Sequence, residues 1–314
     1  MKLYHGIESI NRLPENTVIT IGSFDGVHLG HMELLTKVHD IAEQSDRQSL
    51  IITFNPHPQT VLQEMESNFL ITSIEERIEL IDRTGLIDNL LVLKFDKSFS
   101  QLEPKDFIDT IIMGMVKPSH IVMGYDAHFG KDRMGDIIYL KNITQRRNIT
   151  VDIVEPFIMS EEPISSTMIR KYLRFGKIKE ANRILGYDYF IKGHVVKGEG
   201  RGALLGFPTA NIELFDEIKI LPQNGVYAVT VGYNGEQHRG IMNIGSRPTF
   251  ENSDMTIEVH ILDLSENLYG SLLKIHFIDR IRDEVKFEDN EKLIEQLKID
   301  IEKQKEIQGG KNVT

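Results

Sequence analysis

TVITIGSFDGVHLGHMELLTKVHDIA, residues 17–42, is the stretch that decides how this chain is read. Residues 17–24 are apolar and rich in β-branched side chains, the signature of a buried strand. Leu34, Leu35, Val38, Ile41 and Ala42 then recur at helical spacing. Between the two lies a turn carrying Gly22, Phe24, Gly26 and Gly30. Its glycines let backbone amides come close to a ligand. A helix starting near Gly30 offers its N-terminus to an anion. His28 and His31 flank the turn and can donate hydrogen bonds to phosphate oxygens. A glycine-rich turn alone serves structure as often as phosphate. Two histidines at a strand-to-helix switch move the reading to phosphate, and so to a nucleoside triphosphate. As a metal site the H-x-x-H spacing lacks thiolate support and an obvious third ligand, so it ranks below phosphate.

The same grammar runs outward to about residue 155. Strands are expected at residues 49–54, 90–95, 120–124 and 150–154, with helical faces at Ile74, Ile78 and Ile81, at residues 107–116 and near residues 136–146. Strand-helix alternation predicts a parallel sheet covered by helices, with ligands at the carboxyl ends of its strands. Residues 164–185 read as two short helices, with Ser165, Ser166 and Thr167 as capping oxygens and a break at Gly176. After Tyr187 the pattern changes to period-two stretches, residues 226–233 and 256–262, with turn signals at Asn224-Gly225 and Asn234-Gly235. That predicts an antiparallel sheet or small barrel, closed by a terminal helix over residues 290–306 whose apolar side chains are Leu293, Ile294, Leu297 and Ile301. The expected boundary divides the chain into 1–186 and 187–314, with a frayed tail from Gly309.

Composition bounds the function. The chain has 314 residues, 40% apolar and 26% charged, with a net charge of −11. These are values of a globular protein of about two domains. An acidic balance argues against a general nucleic-acid surface. Cysteine is absent, which excludes disulfides, thiolate zinc sites and a cysteine nucleophile. No stretch has the length and apolarity of a signal peptide or membrane span. The expectation is a cytoplasmic protein, without membrane or nucleic-acid partners, existing as a monomer or weak homo-oligomer.

The H-x-G-H core resembles that of the nucleotidyltransferase superfamily, and residues 22–31 resemble the N-terminal module of bacterial bifunctional riboflavin kinase/FAD synthetases. Three further stretches match that family in order. Phe54, Pro56, His57 and Pro58 resemble its F-x-P-H-P loop, which implies a flavin-facing role. Residues 124–130 resemble its G-x-[DN]-x-x-F-G loop and place Asp126 toward the adenosine. Residues 164–170 match I-S-S-T-x-I-R, which implies that Ser166, Thr167 and Arg170 face the triphosphate with His28 and His31. The resemblance implies a nucleotidyltransferase-like α/β domain that adenylylates FMN to FAD. A phosphate monoester is largely ionised at neutral pH, so this step needs alignment and charge neutralisation rather than a base.

In the second half, residues 191–212 carry Lys197, Gly198, Gly202 and Phe207, then Thr209 and Asn211 within P-T-A-N. They resemble the riboflavin kinase module. The resemblance makes Thr209 and Asn211 the ligands of magnesium, Lys197 and the glycines part of the ATP site, and Phe207 part of the flavin site. Residues 243–250 resemble its N-I-G-x-x-P-T-F motif, and Glu258 stands where its strand carries the base for the riboflavin hydroxyl. Arg280 and Arg282 continue the pattern, or are surface charge. The chain departs from the family at Ala127, His128 and Ala203, the last in place of an arginine, which bears on the kinase. Riboflavin, FMN, FAD, ATP and ADP are the implied small-molecule partners. Three alternatives stay open: a chain with one live activity, a flavin-responsive regulator on the same fold, and a cytidylyltransferase.

Overall fold

The computed structural model describes residues 1–64, 68–147, 149–198, 200–216, 218–248, 253–264, 266–287 and 289–309. Thr249 and Phe250 of the 243–250 motif, and the tail from Gly310, lie outside the described residues. The chain divides into two compact units, Met1–Ser166 and Thr167–Thr314.

The first unit runs β1 (Lys2–His5), β2 (Val18–Ile21), α1 (Leu29–Gln44), β3 (Ser49–Asn55), α2 (Pro58–Leu62), α3 (Ile74–Thr84), β4 (Asn89–Lys94), α4 (Lys97–Ser100), α5 (Pro104–Asp106), a π-wound helix Phe107–Val116, β5 (His120–Gly124), α6 (Ile137–Thr144), β6 (Thr150–Val154) and the two-residue strands β7 (Ile158–Met159) and β8 (Glu162–Pro163). Six strands pair in the order β1-β4-β3-β2-β5-β6, all parallel. Successive side chains on a strand face opposite ways. Val18, Ile51, Leu90 and Val122 pack with Leu34, Leu35 and Val38 of α1 and Ile81 of α3. Their neighbours Ile19, Leu50, Ile52, Leu91 and Ile121 pack on the other face with Phe107, Ile108, Ile111 and Ile112. Both faces are buried, so the strands read as continuous apolar runs. From β2 the chain moves to β3 and β4 on one side, then returns to β5 and β6 on the other. That reversal makes a crevice beyond the carboxyl ends of β2 and β5, the place where such sheets hold ligands.

The division falls after the first residue of α7 (Ser166–Arg174), and α8 (Ile178–Leu185) follows within the second unit. It continues through β9 (Phe190–Val196), α9 (Arg201–Leu204), β10 (Ala210–Leu214), β11 (Gly225–Tyr233), β12 (Glu236–Pro248), β13 (Ser253–Ile261), β14 (Leu272–Arg282) and α10 (Asn290–Gly309). Strands β10-β13-β12-β11-β14-β9 close into a six-stranded antiparallel barrel.

Two expectations change here. The apolar side chains of α10 are only half-buried, whereas Asp300, Gln304 and Gln308 are sealed at four-residue spacing. The Gln304 amide donates to the carbonyls of Val229 and Gly240, both at 3.0 Å, capturing backbone acceptors of the barrel. Arg282 is not surface charge: its guanidinium donates to both oxygens of Asp300 at 2.9–3.1 Å. Breaking a buried pair from one side strands the other charge. Asp300→Ala is therefore expected to destabilise the barrel unit by about 3 kcal/mol, seen as a lower urea midpoint with unchanged unfolding of the first unit.

Candidate functional site

The turn after β2 places both histidines by local hydrogen bonding. His28 is the N-cap of α1: its Nδ1 accepts from the backbone N–H of His31 at 3.3 Å. An accepting Nδ1 leaves the proton on Nε2, so this contact selects the tautomer. The two imidazoles stack at 3.7 Å between centroids and 16° between planes, with the Phe24 ring 5.2 Å from His31. Gly30 permits this approach, because a Cβ there would stand 3.3 Å from two atoms of the His28 ring. His31 is half-buried, and its Nδ1 is sealed from water and has no hydrogen-bond partner among the described residues.

Burial, then the His28 ring, then the Arg77 guanidinium hold the His31 pKa well below the ordinary value of 6.5. The pH consequence has a definite sign. Below 6.5 the unfolded chain takes up a proton that the folded chain refuses, so stability from this residue is lost as the pH falls. In an NMR titration the His31 ring should stay neutral well below 6.5. A midpoint at the ordinary value would contradict the packing described.

Two other sequence stretches, and Ser166 at the end of the first unit, arrive at the same end of the sheet. Phe54 lies one residue before the end of β3, and His57, 6% exposed, caps α2 by accepting from the Gln59 N–H at 3.1 Å. The Asn55–Pro56 peptide is cis, and Pro58 starts α2. Phe54 has two aromatic neighbours, Phe95 at 5.7 Å and Phe99 at 5.8 Å, from the segment after β4. Nothing in the local spacing of the sequence ties either ring to Phe54. Asp126 lies exposed in the loop after β5. Ser166 donates its hydroxyl to the Asp25 carbonyl at 2.8 Å, at the glycine turn. Thr167 and the buried Arg170 follow on α7, where Ser166 and Arg170 are four residues apart on one helix face.

Asp25 and Arg77 carry no local signal in the sequence, where one acidic residue in a turn and one basic residue in a helix read as solvated charge. Asp25 is fully buried, and its carboxylate accepts from the N–H of Ile71 and from the N–H and hydroxyl of Thr72. Arg77, 2% exposed, donates to the Phe54 carbonyl at 3.3 Å and the Thr53 hydroxyl at 3.4 Å.

In the barrel, the alternation of β13 buries Ile257 and Val259 inward and leaves Glu258 half-buried on the outer face. Glu258 is paired in register with Asn211 of β10 on one side and Asn243 of β12 on the other. Directly opposed residues share a face, with Cβ atoms about 5 Å apart. The Thr209 hydroxyl donates to Glu258 Oε2 at 3.3 Å. Hydroxyl, amide and carboxylate therefore converge on one spot. Two glycines shape its rim. A Cβ on Gly198 would run into the Asn211 amide, and one on Gly202 would strike the Phe207 carbonyl and stand 3.2 Å from the Thr209 hydroxyl. Phe207 packs edge-on against His260 at 5.8 Å, and His260 Nδ1 meets the Pro208 carbonyl at 2.7 Å. Lys197 is exposed at the end of β9. The set consists of hard oxygens, the donor chemistry that magnesium takes.

Two family models divide the chain much as the structure does. FAD synthetase matches residues 10–168 and riboflavin kinase matches residues 185–308. The bifunctional riboflavin kinase/FMN adenylyltransferase of Bacillus subtilis is 39% identical over 289 residues, 90% of each chain. That of Listeria monocytogenes is 37% identical over 300 residues, 95% of this chain and 94% of its own. A crystal structure from Streptococcus pneumoniae, named as a macrolide-efflux protein, superimposes with a TM-score of 0.86 at 32% identity, covering 96% of this chain and 98% of that one. Among the described residues no helix is long and apolar enough to cross a membrane. With both modules matched in order and relatives of this identity aligned over nearly their whole length, the chain belongs to the family of bifunctional riboflavin kinase/FMN adenylyltransferases.

Proposed function

We propose that the barrel unit phosphorylates riboflavin to FMN, giving ADP, and that the parallel-sheet unit joins FMN to the AMP part of ATP, giving FAD and pyrophosphate. The observation that carries this is the pairing of two chemically different sites in one chain. One gathers imidazole rings and turn amides at a helix start, and the other sets a carboxylate beside hydroxyl and amide groups.

At the first site, His28 presents Nε2–H and His31 a neutral ring to the triphosphate, beside the amides of the turn carrying Gly22, Gly26 and Gly30. Fixed donors aimed at developing charge lower the barrier without reorganising. The FMN phosphate arrives ionised and attacks the α-phosphorus in line. Phe54 and the loop of Pro56, His57 and Pro58 receive the flavin, and Asp126 the adenosine. Ser166, Thr167 and Arg170 neutralise phosphate charge.

At the second site the nucleophile is an alcohol, which benefits from a base. Glu258 accepts the proton of the riboflavin 5′-hydroxyl as that oxygen attacks the γ-phosphorus of ATP. The Thr209 hydroxyl, donating to Glu258, keeps its carboxylate oriented. Thr209 and Asn211 would hold the magnesium of Mg-ATP, which neutralises phosphate charge when bound. Lys197 and the turn of Gly198 and Gly202 take the phosphates, and Phe207 the flavin. Ala203 removes one cation from that turn and leaves the base and ligands in place. The resident protein is cytoplasmic, a monomer or weak homo-oligomer, with no nucleic-acid or membrane partner.

Nucleotide products separate the two steps. Riboflavin with Mg-ATP should release ADP first, and FMN with Mg-ATP should release pyrophosphate and no ADP. ADP released in proportion to FMN consumed would overturn the assignment of the steps.

A further inference from the structure

The turn that carries the two histidines is strained. Phe24 sits at φ 50° and Val27 at φ 38°. Left-handed backbone is costly for a bulky residue and more so for a β-branched one. Such strain persists only where the surroundings over-determine it. Asp25, the first of the two residues between them, supplies that determination. Asp25, 0% exposed, accepts from the Ile71 N–H at 3.1 and 3.2 Å, the Thr72 N–H at 2.9 Å and the Thr72 hydroxyl at 3.1 Å. The same Thr72 hydroxyl accepts from the Gly26 N–H at 2.9 Å. Two consecutive turn residues are thus tied to one threonine 46 and 47 positions away.

The anchor is itself fixed. Ser73 and Glu76 form a reciprocal capping box that starts α3 directly after Thr72. Arg77, one residue on, reaches the Thr72 carbonyl at 3.5 Å and the Thr53 hydroxyl at 3.4 Å. That hydroxyl donates in turn to the Ser23 carbonyl at 3.2 Å, on the other side of the turn. The cost of burying a carboxylate is recovered only when its lone pairs are filled. Here they are filled by groups whose shared effect is to hold the glycine turn against α3.

We infer that Asp25, acting through Thr72, is a positioning residue for adenylyl transfer: it latches the strained turn to the start of α3 so that His28 and His31 face the triphosphate. This rests on the reading of that turn as the transferase site. Asp25 touches neither substrate nor reacting atoms, being sealed beneath the turn, so its effect is on geometry. A displacement of about 1 Å in such a site costs on the order of 100-fold.

The test uses the full chain, whose other activity is an internal standard. Asp25→Asn keeps the shape and removes the charge and one acceptor; Thr72→Val removes one hydroxyl and keeps the volume. With Mg-ATP and FMN, each folded variant should lose about 100-fold in kcat/KM for ATP, while phosphorylating riboflavin at the wild-type rate. The double variant should be no worse than the worse single one, because both break one latch. In the NMR titration the His31 midpoint should move up toward 6.5 as its burial is lost. If Asp25→Asn does not fold, Thr72→Val carries the test alone. FAD synthesis within twofold of wild type in a folded variant would overturn the latch, as would losses that multiply in the double variant. Failure of the wild-type chain to make FAD from FMN would instead strike at the transferase reading.

Discussion

Replacing His28 and His31 together with alanine is expected to abolish FAD formation from FMN and to leave FMN formation from riboflavin intact. Removing one preorganised donor from such a site costs on the order of 100- to 1,000-fold. The rings stack at 3.7 Å, and His28 supports the chain beneath His31 through its cap. Loss of both should put FAD synthesis below detection in a flavin chromatogram. The cap complicates the single variant, since deleting an N-cap costs about 1 kcal/mol of stability. His28→Asn separates the roles: asparagine still offers a capping oxygen, so activity lost beyond any change in urea midpoint belongs to phosphate binding. FAD formation at the wild-type rate in the double alanine variant would contradict the assignment of both rings.

Glu258→Gln is expected to have the reverse effect. The amide keeps the size of the side chain and an oxygen for the Thr209 hydroxyl, now 3.3 Å from Glu258 Oε2, but it cannot take a proton. General-base catalysis contributes roughly 100- to 10,000-fold, so riboflavin phosphorylation should fall by that range. FAD formation from supplied FMN should be unchanged. A kinase at full rate would mean that the proton goes elsewhere. The neighbours in register, Asn211 and Asn243, carry amides and cannot substitute as bases.

Much of this architecture is legible from the sequence, for reasons that differ by element. The parallel strands are buried on both faces, so residues 49–54, 90–95, 120–124 and 150–154 stand out as unbroken apolar runs. Glu258 is readable because Ile257 and Val259 alternate with it. What escapes is set by distant partners. The strand Lys2–His5 is an exposed edge whose pairing with β4 depends on residues 89–92. Residues 17–24 read as one strand, yet β2 ends at Ile21 because Phe24 bends into the strained turn. Residues 107–116 are helical as expected, but the π winding has no local sign in the sequence. On α10 the apolar pattern points to Leu293 and Leu297, whereas the sealed residues are polar ones whose acceptors belong to the barrel. Asp25 and Arg77 belong to the same class: a buried charge is recognisable only with its partners in view.

The most direct test of the central claim is a flavin chromatogram of the purified chain with Mg-ATP, given riboflavin in one tube and FMN in another, each oxidised and reduced. FMN followed by FAD in the first tube, and FAD in the second, is the predicted result. Flavin bound but unconverted in every tube would contradict it and leave a flavin-responsive regulator on this fold.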